Sequence, residues 1–410
     1  LGNTLVDMYT KCGALKKAQQ ILEELPVRDA ISWNALIAGC ASMGQGHETL
    51  SYFEQMRSEG HSPDAVTFIS ILRACGNIKA LEKGQEIHTE IVKMGLLGKS
   101  KFSAEKSLVD MYAKCGALVE AQEVFDKLPG QDTSTWNSLI SGYSQYGFGH
   151  KAVLCFRKML KEGISPSVVA LISILKACGN IGSVEKGKEI HAKIHNNLLK
   201  KDTTLGTALI DMYVKCSALS KAQELFDDLT IPDTIAWNAL IAGYAQLGQP
   251  RRVFNVFGKM RESNTIPDLI TFLVLLNACS HAGLVQEGGT IFATMESVYK
   301  FNPTLEHYTC MVDLFSRAGH FDKVISVIEG VPLGDQLPLW LTLLGACYKW
   351  VNVHLGRWAF KRSLQLDEKC EASYVCMGNI YAAAGMHAEA EKMEAWRVAN
   401  DINFWVDRCE

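Results

Sequence analysis

The sequence predicts an all-α chain, a right-handed superhelical α-solenoid of stacked helix-turn-helix repeats. Three landmarks carry that reading. Trp-Asn occurs at Trp33-Asn34, Trp136-Asn137 and Trp237-Asn238, in steps of 103 and 101 residues. Met-Tyr-x-Lys-Cys keeps the same step through Cys12, Cys115 and Cys216, and Ala-Cys does so through Cys75, Cys178 and Cys279. A long period shared by unrelated landmarks marks a repeat array.

Each period divides into three units. The first ends at Asp29, with full copies at Phe102 to Asp132 and Thr203 to Asp233, both 31 residues long. The second, with Trp-Asn, runs Ala30 to Asp64, Thr133 to Ser167 and Thr234 to Asp268, each 35 residues. The third, with Ala-Cys, runs Ala65 to Lys101, Val168 to Asp202 and Leu269 to Thr304. A short, standard and long order thus repeats three times over residues 1–304. Leu305 to Gln336 reads as a further short unit, Leu337 to Cys370 and Glu371 to Ile402 as two hairpins of different character, and 403–410 as a tail.

Local physics supports helices within each unit. Leu15, Ala18, Leu22 and Leu25 recur at helical spacing and form one apolar stripe, with Lys16, Lys17, Glu23 and Glu24 turned to water. Gly13 suits the turn between the two helices, where positive φ ends the first. Pro26, Pro63, Pro129, Pro166, Pro232, Pro267 and Pro303 fall near unit ends, where a missing N–H stops a helix. One such hairpin cannot bury its stripe alone, but a stack can.

Composition narrows the function classes. The chain has 410 residues, 48% of them hydrophobic, and a formal charge of -3, so no overall positive field draws it to nucleic acid or membrane. Any nucleic-acid contact must use a local groove. The 13 Cys sit mostly at repeat-equivalent places among Ala, Met and Tyr, which suits small core residues in a reducing compartment. The apolar run from Leu269 to Leu276 is far shorter than the roughly 18 residues a membrane span needs. Leu1 opens the sequence without Met and already inside a repeat, so a fragment of a longer protein, with any targeting segment outside it, is expected.

These mixed unit lengths, WNxLIxGY, MYxKCG, the Ala-Cys signature and the Pro-Asp endings resemble the plant pentatricopeptide repeat (PPR) family in its short-and-long (PLS) subclass. The final hairpins resemble the E-type units that close such arrays in organellar RNA-editing factors. The tetratricopeptide repeat is the nearest rival, since Trp237, Leu240 and Tyr244 partly imitate its W-x₂-L-G-x₂-Y, but Ile241 stands where that pattern has Gly.

The resemblance implies single-stranded RNA binding, one base per short or standard repeat, read by two side chains. The early position is Asn3, Asn34, Asn137, Thr207 and Asn238, and the closing position Asp29, Asp64, Ser167, Asp233 and Asp268. By the family's code these pairs imply U, U, C, G and U, or 5′-UUNNCNGUNN-3′. Lys106 with Asp132 has no clear reading, and the long units carry aliphatic Ile69, Ile172 and Leu273 early, which select no base. The same Asn and Asp residues would also serve as plain helix caps and turn residues. Ile31, Val66, Val169, Ile235 and Ile270 take the second position, where family members wedge bases, and Ser134 departs from it. Lys11, Lys114 and Lys215, with Arg317 equivalent, lie about two helical turns on and are either phosphate contacts or solvated charges.

The resemblance further implies positioning of an organellar transcript, in chloroplast or mitochondrion, for C-to-U editing. Family editing factors often end in a zinc deaminase-like DYW domain, which needs H-x-E together with Cys-x-x-Cys. His88-Thr89-Glu90 and His387-Ala388-Glu389 match H-x-E, no Cys pair completes either, and only Cys409 follows Glu389. His88 recurs as His191, a structural periodicity. No enzyme activity, cofactor or metal is therefore expected in the chain, and the deaminase would act in trans or from a missing domain. Multiple organellar RNA-editing factor proteins are the partners the resemblance suggests for the long units. A protein-interaction solenoid that takes a peptide or partner helix is the alternative function.

Overall fold

Two helices fall within the sequence range of each expected unit. The computed structural model describes residues 2–97, 104–194, 202–331 and 336–406, and all regular structure among them is helical. The expected boundary residues Lys101 and Phe102, together with Leu1, Cys409 and Glu410, lie outside the described residues. Two compact units result, Leu1–Cys216 and Ser217–Glu410.

The first unit contains α1 (Gly2–Lys11), α2 (Leu15–Glu24), α3 (Ala30–Ser42), α4 (Gly46–Ser58), α5 (Ala65–Ile78), α6 (Leu81–Lys93), α7 (Ala104–Cys115), α8 (Leu118–Asp126), α9 (Thr133–Gln145), α10 (Gly149–Lys161), α11 (Val168–Asn180), α12 (Val184–Lys193) and α13 (Thr203–Lys215). First helices pack on one another in the order α1, α3, α5, α7, α9, α11, α13. Second helices form another layer, with α2 on α1 and α3, and α4 on α3 and α5.

The second unit contains α14 (Leu219–Asp227), α15 (Thr234–Gln246), α16 (Pro250–Glu262), α17 (Leu269–Ala282), α18 (Val285–Ser297), α19 (Leu305–Arg317), α20 (Phe321–Glu329), α21 (Leu337–Lys349), α22 (Val353–Leu366), α23 (Glu371–Ala383) and α24 (His387–Val406). Its first helices stack as α15, α17, α19, α21 and α23. The last helix continues through Asn403 to Val406, so the final hairpin does not stop at Ile402 as the sequence pattern suggested.

The seam between layers is the core. Trp136 is fully buried with Phe125 at 4.5 Å edge-on, and Trp237 meets Phe226 at 4.6 Å in the same way. Removing one such indole would cost roughly 3–5 kcal/mol. Cys75, Cys178 and Cys279 are buried free thiols, as expected of small core residues. The seven prolines near unit ends all lie between helices, whereas Pro250 and Pro338 occupy first turns, where no N–H partner is needed.

Gly13 has φ 75, as its turn position demands. The matching turn after α13 carries Ser217 at φ 58, and Lys79 at φ 57 stands where later triplets have Gly182 and Gly283. These backbone positions are set by the hairpin rather than by the residue.

Candidate nucleic-acid interface

The residue closing each standard or short unit caps the helix that follows it. Asp29 accepts from Ser32 N, Asp64 from Thr67 N, Asp132 from Thr135 N, Ser167 from Ala170 N, Asp233 from Ala236 N and Asp268 from Thr271 N. That accounts for Asp and Ser here: a short acceptor in extended backbone satisfies an N–H the helix leaves open.

The same carboxylates receive the early polar side chains. Asn3 Nδ2 donates to Asp29 at 3.1 Å, Asn34 Nδ2 to Asp64 at 2.9 Å and Asn238 Nδ2 to Asp268 at 3.0 Å. Lys106 Nζ makes the matching contact to Asp132 at 2.6 Å, so this pair without a clear reading has the same geometry. A threonine completes two of the sets: Thr67 Oγ1 donates to Asn34 Oδ1 at 2.5 Å and Thr271 Oγ1 to Asn238 Oδ1 at 2.7 Å. Thr67 and Thr271, the N3 residues of α5 and α17, were missed by the sequence reading, although each follows its Asp by three residues.

Hydrogen bonds shift the carboxyls. The backbone N–H of Ser32, with help from Asn3, holds Asp29 below its ordinary value. Burial pushes Asp268 up, but the Thr271 N–H, the Asn238 amide and the Thr271 hydroxyl together outweigh it and leave it lowered. Asp132 is lowered against its own burial chiefly by Lys106.

Asn137 and Ser167 behave differently. Asn137 Oδ1 is buried and has no hydrogen-bond partner, and Ser167 accepts from the α11 backbone and not from Asn137. Asn137 lines a pocket of about 270 Å³ together with Lys114, Ser134, Ser138, Ser141 and Val169. One residue from each expected role, base reading, wedging and phosphate contact, meets there. Thr207 is buried on α13 in the first unit, and Asp233 belongs to the second.

The second-position aliphatics stand out into solvent. Ile31 is 67% exposed, Val66 50%, Val169 57%, Ile235 64% and Ile270 59%. β-branched residues repeatedly left this open at the second residue of a first helix do not serve the core.

Each expected phosphate cation has an acid one turn back on its own helix. Lys11 meets Asp7 at 2.7 Å, Lys114 meets Asp110 at 2.8 Å, Lys215 meets Asp211 at 2.8 Å and Arg317 meets Asp313 at 2.8 Å. These Asp residues were not foreseen, though the i, i+4 spacing in VDMYTK, VDMYAK and IDMYVK displays them. The pairs are solvent-facing and weak individually.

The H-x-E histidines have no metal-site surroundings. His88 Nδ1 lies 2.8 Å from Tyr112 Oη, and His191 Nδ1 lies 3.0 Å from Tyr213 Oη, the repeated structural contact. His387 is exposed at the start of α24, and among the described residues no group of three or more His, Cys, Asp or Glu could hold a metal. No described helix is long and apolar enough to cross a membrane.

Comparisons with known proteins find repeats along the chain. The PPR repeat family matches residues 28–77, 131–180 and 232–281, and the PPR repeat matches 3–29, 106–131, 207–230, 270–298 and 306–330. A pentatricopeptide repeat-containing protein of Arabidopsis thaliana is 34% identical over 403 residues, covering 98% of this chain and 55% of the relative. Another from the same plant, named as mitochondrial, is 34% identical over 394 residues, covering 95% of this chain and 65% of the relative. The chain therefore spans roughly half to two thirds of the length of such relatives. Among solved structures, the pentatricopeptide repeat protein PPR10 in complex with an 18-nt psaJ RNA element superposes with a TM-score of 0.75 at 18% identity, covering 98% of this chain and 60% of that one. PPR10 from maize gives a TM-score of 0.55 at 18% identity over 95% of this chain and 62% of that one. These two likenesses establish the α-solenoid fold.

Proposed function

The chain belongs to the PPR repeat family, and from that premise we propose that its first-helix face binds single-stranded RNA in a sequence-specific manner, one base per short or standard repeat. The observation that carries this reading is the pocket where Lys114, Asn137 and Val169 converge. An amide with an unpaired buried oxygen offers a hydrogen bond to a base edge, an exposed aliphatic side chain offers it a flat apolar wall, and a cation faces the backbone.

The Asn–Asp pairs add selectivity. With one N–H committed to Asp64 and the carbonyl to Thr67, Asn34 keeps a fixed orientation, which is what discrimination between base edges requires. Asn3 and Asp29, Asn34 and Asp64, and Asn238 and Asp268 would favour U, Asn137 with Ser167 C, and Thr207 with Asp233 G. Ile31, Val66, Val169, Ile235 and Ile270 would separate the bases, and Lys11, Lys114 and Lys215 would meet phosphates.

Division into three short-standard-long triplets, a last short unit and closing E-type hairpins is part of the same proposal. So is the setting: an organellar transcript, mitochondrial or chloroplast, positioned for C-to-U editing with a DYW-type deaminase in trans or on a further domain. Multiple organellar RNA-editing factor proteins would take the long units. A mobility shift with 5′-UUNNCNGUNN-3′ against a scrambled RNA tests the central part. Tighter binding of the first supports it, and equal affinity rejects base reading in favour of a protein-binding scaffold.

A further inference from the structure

We propose a second recognition site on the second-helix side of the second unit, a socket for an acidic side chain of a protein partner, built around Trp237. The indole is 5% exposed, and its Nε1 is buried with no hydrogen-bond partner. It lines a pocket of about 270 Å³ with Gln223, Asp227, Arg252, Asn255 and Lys259, contributed by α14 and α16. A buried N–H donor left open is costly, which makes it a candidate for an external acceptor.

The first triplet shows what such a donor takes. Trp33, at the same place in its unit, donates Nε1 to Glu59 Oε2 at 3.3 Å, and Glu59 is itself paired with Arg28. Four polar positions around that site have changed in the third triplet, while Gln19 and the acid at Glu23 are kept as Gln223 and Asp227. Ser263 replaces Glu59, Arg252 replaces Glu48, Lys259 replaces Gln55 and Asn255 replaces Ser51, position for position. The chain has removed its own carboxylate and put two cations where there were an acid and an amide.

Those cations are available. Neither Arg252 nor Lys259 makes an ion pair with a described residue, and Arg252 rests 5.4 Å over the Tyr244 ring, whose hydroxyl donates to Gln223 Oε1 at 2.7 Å. Asp227 takes the Gln223 amide at 2.8 Å, so the one acid in the pocket already has a donor. The middle triplet has gone part of the way: Lys151 and Lys158 have appeared, Trp136 Nε1 is also unpartnered, but Glu162 keeps the acid's place and Leu154 stands for Asn255. The lining, an indole N–H with two cations, suits an anionic acceptor. Indole N–H, guanidinium and ammonium converging on it give a charge-assisted site for Glu or Asp.

The site is independent of the first-helix face, so the two proposals fail separately. The 410-residue chain, ¹⁵N-labelled at Trp, is titrated with an acetylated and amidated Gly-Gly-Glu-Gly-Gly peptide, its Gln counterpart, sodium acetate, inorganic phosphate and the 10-nucleotide RNA. The Glu peptide is expected to move the Trp237 indole resonance while the Gln peptide leaves it in place, and R252Q/K259Q is expected to weaken the response about tenfold. In W237F, fluorescence anisotropy of the labelled peptide should show binding lost with RNA affinity unchanged. No response to the Glu peptide, an equal response to its Gln counterpart, or an equal response to acetate overturns the assignment to a partner's acidic side chain. A response to phosphate or RNA instead of the peptide overturns it in favour of a nucleic-acid contact. An unchanged response in R252Q/K259Q removes the role of the cations.

Discussion

Asn34 Nδ2 donates to Asp64 Oδ2 at 2.9 Å while Asp64 Oδ1 accepts from Thr67 N at 3.0 Å, so one carboxylate both caps α5 and fixes the amide thirty residues before it. Capping and base reading are therefore not rival roles for Asp64. The cap sets the carboxylate, and the carboxylate sets the amide.

That relationship predicts a stability difference. Asp64→Ala removes a cap, about 1 kcal/mol, and strands a buried amide, about 1–3 kcal/mol more. Ser167→Ala removes only a cap and should cost about 1 kcal/mol, because Asn137 does not depend on Ser167. Denaturant titration of both checks this. Equal costs would mean that the Asn34–Asp64 bond contributes nothing.

Left-handed turns give a prediction in the stabilising direction. Val351 at φ 50, Ser217 at φ 58 and Lys79 at φ 57 hold a conformation that costs an L-residue about 1–2 kcal/mol. Changing any of them to Gly should raise stability by roughly 1 kcal/mol, most for β-branched Val351. Asn264→Gly, at φ 57, should gain less, since Asn tolerates the region. Melting temperatures order the four variants, and a loss at Val351 would contradict the argument.

Salt dependence should separate the cations from their acids. If Lys215 meets a phosphate, Lys215→Ala lowers the magnitude of the logarithmic salt slope by about 0.7. Asp211→Asn frees Lys215 from its 2.8 Å partner and should strengthen RNA binding at low salt. Affinities from 50 to 300 mM salt, roughly the range over which such contacts are screened, decide it. A slope unchanged by Lys215→Ala would leave the lysine as a solvated charge.

Titration sets two edges to stability. Burial pushes Cys75, Cys178, Cys279 and Cys347 up to about 12. A thiol raised in the folded state contributes stability that is complete below its unfolded value, about 8.5, and is lost as pH rises from there toward its folded value. Asp29, Asp132 and Asp268 are lowered below 3.8, so their contribution is present above about 4 and lost as pH falls through the lowered values. Burial also holds the His88 imidazole below its ordinary value, so its contribution is lost as pH falls below about 6.5. The melting temperature should therefore be highest between about pH 7 and 8 and fall on both sides, beginning on the acid side with His88 and steepening as the carboxylates protonate. At pH 8, iodoacetamide should label exposed Cys12 well before the four buried thiols.

The hairpins were legible in the sequence because Trp33, Trp136 and Trp237 repeat, and a repeat fixes register where propensity alone would not. Asp29, Asp64 and Asp268 were legible too, each standing before the first residue of a helix. The direct bond from Asn34 to Asp64 was not, since it spans a whole hairpin and depends on how closely first helices pack. Nor was the hairpin's demand for positive φ at Ser217, where the sequence shows no Gly. Asp7, Asp110 and Asp211 lay in plain view beside their lysines, but i, i+4 pairs are common on any solvated helix. The open indole of Trp237 could be found only from coordinates, because Trp33 carries the same local sequence and is satisfied.

The most direct test of base reading is a two-by-two exchange at one nucleotide: the chain with Ser167 or with Ser167→Asp, against RNA with C or with U at the fifth position of 5′-UUNNCNGUNN-3′. The account predicts that the parent chain prefers C, that Ser167→Asp prefers U, and that the two changes together restore affinity each lost alone. Equal affinities in all four combinations, in a protein whose melting curve is unchanged, would contradict it.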